Sequence, residues 1–377
     1  MIIDEGKMPR LAVTGWGHAW LTGRSGDRHD QTNLARALDE VIARGFNTIA
    51  LDPCPHLIAS PMTGIHLDRF ELLPEARAGL ARSVLVRPRR ALLEVLAAVH
   101  ERGLGVWLSS AFLPDSQARR SFIRRPRDFV RVWSETLEFI QREGLGETVR
   151  AVDFGREFPA PPAGWGAYRR IFHRHPRNPL PLTTAWSPSM VRRAEPYLLE
   201  IPRALRASFP DYLYGLSATT PLMAHLRQLD TSEMDFLDYH CWLNDDRQFQ
   251  LASGELAGRL GGPLFAPLQG RVTGLAWRAR RSHWYQRLDE RLEEFLEFCR
   301  VRRLEPALTD GFVHLPRGGV DPGLARELSD RVVTRAVAGG ARVVTPGRQT
   351  RVGEGRLWND QNWILRQTRR ILTGPGR

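Results

Sequence analysis

The sequence has little cysteine: its 377 residues contain only Cys54, Cys241 and Cys299, which lie far apart. An odd number of cysteines without CxxC or Cys/His spacing excludes a disulfide framework and a structural zinc site, so we expect reduced thiols. His173 and His175 stand two residues apart in an Arg- and Pro-rich segment, which is poor spacing for a metal. We therefore predict no metal site, and no cofactor of any other kind.

Lysine is almost absent, since Lys7 is the only one, so arginine supplies nearly all of the formal net charge of +12. The arginines are scattered in short clusters, without a long basic block and without an RNP, zinc-finger or basic-zipper pattern. Nucleic-acid binding requires a continuous basic surface or one of those motifs. The scattered arrangement of the arginines therefore predicts no nucleic-acid partner, despite the positive net charge.

Long apolar runs are also missing, because no uninterrupted stretch approaches the about 20 residues needed to span a bilayer. The first residues, MIIDEGKMPRL, lack the basic region and apolar core of a secretory signal. We therefore expect a cytoplasmic protein with no membrane partner. A hydrophobic content of 42% is enough to bury a large core.

Three stretches, 34–52, 92–110 and 136–155, share one plan: an amphipathic helix, a glycine stop and an apolar strand. This is the αβ half of a βαβ unit, and near-continuous apolar strands indicate a parallel sheet covered on both faces. The same reasoning along the chain predicts strands at 11–16, 46–52, 105–110, 149–155, 211–217, 234–240, 304–310 and 341–345. Helices are predicted between and after them at 32–44, 87–102, 127–143, 189–207, 220–229, 285–302, 322–338 and 360–372.

Eight strands alternating with eight helices is the pattern of an α/β TIM barrel, a (β/α)8 fold. We predict one barrel domain over 1–377 with extended βα loops at 53–86, 156–188 and 241–284. The segment TGWGHAW after the first strand has the wrong spacing for GxGxxG, which excludes a dinucleotide site.

Catalytic side chains in such a barrel come from the carboxyl ends of the strands. Glu157 follows the fourth strand and Asp310 ends the seventh, so two carboxylates would face each other across the ring. A carboxylate pair of this kind is what glycoside hydrolysis requires. At the other strand ends we predict substrate-binding residues: Trp16, His18, Asp52, His56, Arg156, His240 and Trp242.

Aromatic residues are frequent in the predicted loops. A single loop aromatic usually packs against the protein, but a group around one barrel mouth would also suit stacking against a sugar ring. The residues concerned, besides Trp242, are Trp165, Tyr168, Trp186, Trp277 and Trp284.

Around these residues the chain resembles the clan A glycoside hydrolases and, within them, the cellulase-like barrel proteins of actinobacterial genomes. The resemblance rests on ARGFNTIALDPCPHLIAS (43–60), AVDFGREFP (151–159), MDFLDYHCWL (234–243), PALTDGFVHLP (306–316) and LWNDQNW (357–363). It implies that Glu157 is the acid/base and Asp310 the nucleophile. It also implies that His240 orients the nucleophile or contacts the sugar, and that Asp52 and His56 line the subsite.

The chain departs from the clan pattern at three positions. Arg156 stands where the clan has Asn, Ala50 where it has Arg on the second strand, and Asp310 where it has Glu. Arg156 would lower the pKa of Glu157, whereas a general acid needs a raised pKa. The shorter Asp310 draws its carboxylate back by about 1.5 Å, one C–C bond. That shift moves a retaining pair (about 5–5.5 Å) towards the inverting range (about 6.5–9.5 Å), so retention, inversion and loss of hydrolysis all stay open.

Three functions are compatible with these residues. The first is a glycoside hydrolase-like enzyme acting on a small glycoside, because an enzyme that is not exported does not meet cellulose. The second is a non-hydrolytic acid/base enzyme for a cyclisation, dehydration or ring opening, in which Arg156 binds an anionic group of a polar metabolite. The third is a non-catalytic sugar-binding protein. Glu157 could also be a salt-bridge partner of Arg156, and Asp310, which precedes Gly311, a turn residue.

Overall fold

A computed structural model describes residues 8–22, 31–61, 64, 67–75, 80–178, 180–254, 266–312, 322–353 and 355–375. Its strands are β1 (Leu11–Gly17), β2 (Thr48–Leu51), β3 (Phe70–Leu72), β4 (Val84–Val86), β5 (Gly105–Ser109), β6 (Val149–Asp153), β7 (Leu213–Thr219), β8 (Phe236–Trp242), β9 (Glu305–Leu308), β10 (Gly311–Phe312) and β11 (Val343–Val344).

The α-helices within these residues are Ala19–Thr22, Gln31–Ala43, Pro55–Ile58, Pro88–His100, Pro126–Arg142, Trp165–Phe172, Leu180–Thr183, Pro188–Ser208, Thr220–Leu226, Arg247–Ala252, Ala266–Ala279, Arg281–Arg302, Pro322–Ala338 and Gln361–Thr373. Within the described part of the chain, no helix has the length and apolar character needed to cross a bilayer.

Eight parallel strands close into a barrel in the order β1, β2, β5, β6, β7, β8, β9 and β11. The ring is closed where Leu11 of β1 pairs with Val343 of β11. The prediction of an α/β TIM barrel is therefore confirmed. The short strand β10 pairs with the end of β8, and β3 and β4 form an antiparallel hairpin outside the ring.

The barrel interior changes from apolar to polar along the strands. Every second residue of a strand points inward, so one strand contributes to successive layers. Trp107 and Phe236 fill the layer near the amino ends, with ring centroids 4.5 Å apart. The inward-facing series on β8 then continues through Asp238 and His240 to Trp242, all buried. The apolar plug contains Met8, Leu11, Val13, Trp107, Ala151, Phe236, Ala307 and Val343.

Element boundaries differ from prediction at both ends of two strands. The strands predicted at 211–217 and 234–240 are Leu213–Thr219 and Phe236–Trp242, so each begins and ends two residues later. At their carboxyl ends, Ala218 and Thr219 continue the pairing of β7 with β8, and Cys241 and Trp242 pair with β10. The long connections contain elements that were not predicted: the short ones are Pro55–Ile58, β3, β4, Trp165–Phe172, Leu180–Thr183 and Arg247–Ala252, and a helix of 14 residues spans Ala266–Ala279.

Most of the loop aromatics pack inside the protein. Trp186 stacks on His225 with ring centroids 4.5 Å apart, and Trp284 meets Phe249 edge-on at 5.2 Å. The packing role expected of a single loop aromatic is therefore found for five residues of this group, all buried: Tyr168, Trp186, Trp242, Trp277 and Trp284. The three cysteines are also buried, as free thiols.

Candidate active site

The site is built on β8, whose alternating residues carry a chain of hydrogen bonds into the barrel mouth. His240 Nδ1 lies 2.8 Å from Glu157 Oε1, and His240 Nε2 lies 3.5 Å from Asp238 Oδ2. Asp238 is fully buried and accepts the backbone N–H of Thr309 at 2.8 Å. The imidazole is therefore held between two carboxylates.

This position determines the charge of His240. Burial disfavours the imidazolium, but Asp238 and then Glu157 favour it more strongly and raise the pKa of His240 to about 10. At neutral pH both ring nitrogens carry a proton, so Nδ1–H donates to Glu157. His240 thus presents a positive charge to the Glu157 carboxylate.

Glu157 stands in a turn whose backbone has an unfavourable conformation. Its φ of 56° lies in the left-handed region, which costs a non-glycine residue free energy. The Glu157 N–H donates to Ser217 Oγ at 2.8 Å, and the Ser217 N–H donates to buried Asp153 at 3.2 Å. The neighbouring strands β6 and β7 therefore hold the turn that presents the Glu157 side chain.

The two oxygens of Glu157 have different surroundings. Oε1 accepts from His240 and, at 3.4 Å, from Trp242 Nε1. Oε2 makes no hydrogen bond to any residue that the structure describes, and the side chain is 30% exposed. Burial would raise the pKa of Glu157, but His240 and then Arg156 lower it below its ordinary value. Glu157 is therefore ionised at neutral pH, with one anchored oxygen and one free oxygen.

Asp310 lies at the other side of the mouth, against three arginines that we call the arginine cluster: Arg156, Arg348 and Arg351. Its Oδ2 contacts Arg156, lies 2.6 Å from Arg351 Nη2 and 3.8 Å from Arg348 Nη1. Its Oδ1 accepts the Gly311 N–H at 3.0 Å. Burial favours the protonated form, but Arg351, Arg156 and Arg348 hold the pKa of Asp310 far below its usual range.

His18, after β1, faces the same cluster. Burial, and then the charges of Arg351, Arg156 and Arg348, lower the pKa of His18 to about 4, so its imidazole is neutral. Trp16 is half-buried and packs against the main hydrophobic core. Contacts and charge interactions therefore connect seven of the predicted residues: His18, Asp52, Arg156, Glu157, His240, Trp242 and Asp310.

Asp52 and His56 make their contacts in the wall of the barrel mouth. The carboxylate of Asp52 accepts the backbone N–H groups of Cys54 and Ala111, both at 2.8 Å. His56 Nε2 is 2.8 Å from the Leu113 carbonyl oxygen, and burial lowers the pKa of His56 to about 3. Neither side chain hydrogen-bonds to Glu157 or Asp310. Their observed contacts support the loops that follow β2 and β5.

Sequence reasoning missed two residues of the site, because both lie in turns beyond the strand ends. Arg351 follows the short helical turn Arg348–Thr350, and the spacing Arg348-x-x-Arg351 was the available signal. Asp245 ends the turn Leu243–Asp245 after β8, and its Oδ2 accepts the Thr220 N–H at 3.1 Å. Burial, and then the charge of Glu157, raise the pKa of Asp245 to about 7.

The architecture defines a class of protein: a (β/α)8 barrel with Glu157 after its fourth strand and Asp310 after its seventh. Residues 13–372 match the profile of the cellulase-like family, described as sugar-binding cellulase-like. The chain belongs to this family. No curated protein matches the chain.

Solved structures share this fold at low sequence identity. A protein provisionally assigned as a glycoside hydrolase, from Parabacteroides distasonis, has a TM-score of 0.79 at 21% identity, with 98% of this chain and 95% of that chain covered. An endocellulase from Pyrococcus horikoshii, solved with cellotetraose, has a TM-score of 0.52 at 14% identity, covering 95% and 92%. A glycoside hydrolase of family 5, subfamily 18, from Streptomyces cattleya, solved with GlcNAc, has a TM-score of 0.51 at 16% identity. The match covers 97% of this chain and 81% of that chain.

Proposed function

We propose that the protein is a glycoside hydrolase-like enzyme that acts on a small glycoside, with Glu157 as its reactive carboxylate. The observation that carries this proposal is the asymmetry of Glu157: Oε1 is anchored by His240 and Trp242, while Oε2 has no hydrogen-bond partner among the described residues and the side chain is partly exposed. Membership of the cellulase-like family supports it. So do the sugar ligands, cellotetraose and GlcNAc, of two proteins that share the fold.

The protonation states suggest roles for the two carboxylates predicted from sequence. An ionised Glu157 with a free oxygen has the properties of a nucleophile or a base in the unliganded enzyme. In Asp310 both oxygens are engaged, one by the arginine cluster and the other by Gly311. A carboxylate held in this way is a weak nucleophile. We therefore assign Asp310 to hold the arginine cluster in place, and not to the nucleophilic role that the clan resemblance implies.

The proton for the leaving group is assigned to Asp245. Where the surroundings move the pKa values of two carboxyl groups apart, the group with the lower pKa acts as the base and the group with the higher pKa acts as the acid. Here the pKa of Glu157 is lowered, while that of Asp245 is raised to about 7, in part by Glu157 itself. Asp245 is also partly exposed, in the turn directly after the strand that carries Trp242.

Asp245→Asn is therefore expected to slow the cleavage of glycosides with poor, alkyl leaving groups by about 10²–10⁴-fold. The cleavage of nitrophenyl glycosides is expected to slow much less, because their leaving group needs little protonation. In the wild type, activity on the poor substrates should fall as the pH rises above about 7, because Asp245 then loses its proton. This fall in activity above about pH 7 should be missing in the variant. The test measures cleavage rates as a function of pH and of the pKa of the leaving group, with Asp39→Asn on an outer helix as the control.

The function itself is tested by a turnover screen with nitrophenyl glycosides of several sugars in both anomeric forms. Wild type and Glu157→Gln are purified in parallel, and NMR identifies the first anomer released. Cleavage by the wild type alone supports the proposal, and the anomer distinguishes retention from inversion. If no glycoside is cleaved and no iminosugar raises the melting temperature, the proposal is wrong.

A second candidate is favoured by one observation, the ionised Glu157 beside Arg156. The same groups would serve a non-hydrolytic acid/base reaction on an anionic metabolite, with Glu157 removing a proton. The screen separates the two candidates: stabilisation by sugar acids without cleavage of any glycoside supports the second.

A further inference from the structure

We propose that the arginine cluster binds a carboxylate group of the ligand, so that the substrate is an acidic sugar of the uronic acid type. The inference rests on the proposed function for the sugar part of the ligand and for the role of Glu157. The charge requirement comes from Arg156, Arg348, Arg351 and Asp310 alone.

The cluster has more hydrogen-bond donors than Asp310 can accept. Each guanidinium carries five N–H groups, whereas Asp310 offers the cluster one oxygen, because the other accepts the Gly311 N–H. Arg348 approaches that oxygen only to 3.8 Å, beyond hydrogen-bonding distance. The Arg348 side chain makes no hydrogen bond to any residue that the structure describes, and it is 24% exposed. As far as the described residues are concerned, its planar fork is available to a ligand.

The cluster is also under-compensated in charge. Arg156 interacts with several carboxylates, namely Asp310, Glu157, Asp52 and Asp153. Arg348 and Arg351, by contrast, share Asp310 as their one ion-pair partner among the described residues. Burial lowers the pKa of Arg351 to about 10, and repulsion from Arg348 and Arg156 adds to this effect, whereas Asp310 opposes it. One further negative charge at this place would balance the cluster.

The cluster and Glu157 adjoin the same aromatic side chain. The Arg348 guanidinium lies over the Trp242 ring, 5.5 Å from its centroid, and Trp242 Nε1 lies 3.4 Å from Glu157 Oε1. One indole therefore separates the available fork from the reactive carboxylate. A single sugar ring bound at the mouth beside this buried indole would place one substituent on Arg348 and the anomeric region near Glu157. A guanidinium fork matches a carboxylate with two parallel hydrogen bonds.

The test measures binding separately from turnover. Calorimetry compares glucuronate, galacturonate and mannuronate with their parent hexoses, and kinetics compare nitrophenyl uronides with the matching hexosides. The uronate of at least one pair is expected to bind about 10- to 100-fold more tightly, the effect of a hydrogen bond to a charged group. Arg348→Gln should lower that preference about tenfold. Arg348→Lys keeps the charge without the fork, so it should lower the preference less. Arg300→Gln on the surface removes the same charge and should change neither ratio.

The outcomes separate the two proposals. Cleavage of neutral hexosides with no preference for uronates overturns this inference and leaves the proposed function intact. Uronate binding that depends on Arg348, without cleavage of any glycoside, overturns the proposed function and supports the cluster as a carboxylate site. A stronger preference for sugar phosphates or sulfates, or a uronate preference unchanged in Arg348→Gln, overturns the inference. Arg351→Gln provides a second variant if Arg348→Gln does not fold.

Discussion

Glu157→Gln is expected to lower kcat/KM on the best glycoside by about 10²–10⁴-fold, the contribution of a positioned acid or base. The amide removes the charge and the reactive oxygen but keeps the shape of the side chain. Its oxygen can still accept from His240 and Trp242, and the position is 30% exposed, so the barrel is expected to stay folded. Steady-state kinetics and a thermal melt monitored by circular dichroism measure the two effects.

The matched control is Glu233→Gln. Glu233 is similarly exposed, at 26%, and is likewise paired with arginines, Arg203 and Arg206. It precedes β8, so it lies at the opposite end of the barrel from the site. Its replacement is expected to leave kcat/KM unchanged. Equal losses in both variants, or normal turnover by Glu157→Gln, would remove Glu157 from the mechanism.

A spectroscopic readout makes the Glu157 prediction independent of any substrate. The carboxylate of Glu157 is one of the groups that raise the pKa of His240 to about 10. In Glu157→Gln the pKa of His240 is therefore expected to fall, although Asp238 still favours the imidazolium. An NMR titration of the His240 ring measures it. An unchanged His240 pKa would contradict the hydrogen-bond chain from β8 to Glu157.

The fold could be predicted from the sequence because its units repeat. Helix, glycine stop and apolar strand recur at 34–52, 92–110 and 136–155, and the barrel follows from counting such units. The site was predictable where a side chain sits on a strand, since Asp238, His240 and Trp242 follow the alternation of β8. Arg156, Glu157 and Asp310 were predictable because they follow a strand end within a few residues. Arg351 was not, because it lies seven residues beyond β11 and its direction depends on tertiary contacts.

The arginine expected on the second strand shows this limit in detail. Ala50 occupies that position and pairs with Gly15 of β1. A Cβ on Gly15 would lie 3.4 Å from Arg351 Cγ, so the Arg351 side chain runs directly beside this pair of small residues. Arg351 thus brings a guanidinium to Asp310 from beyond β11. A position-by-position comparison shows Ala50 in place of the arginine, but not that Arg351 brings a guanidinium to Asp310 from a distant turn.

Asp310→Asn is expected to cost about 3–5 kcal/mol of unfolding free energy, as is typical when one partner of a buried ion pair is removed. Asp310 is 4% exposed and is the carboxylate that the whole arginine cluster contacts. Without it, three guanidinium groups repel one another at the barrel mouth. Urea denaturation at neutral pH measures the loss, and Glu297→Gln, in an exposed pair with Arg300, should leave the midpoint unchanged.

The pH dependence of this loss follows from the direction of the pKa shift. The pKa of Asp310 is lower in the folded state than the about 3.9 of an unfolded aspartate, so its stabilisation is fully present above that value. It is lost progressively as the pH falls, so wild type and Asp310→Asn should converge in acid. The double variant Asp310→Asn/Arg351→Gln should recover part of the stability, because it removes one of the repelling charges. Two results would contradict the assignment of Asp310 as the counter-charge of the cluster: a loss of unfolding free energy below about 1 kcal/mol at neutral pH, or a double variant less stable than the single one. Either result would mean that the desolvated guanidinium groups need no carboxylate.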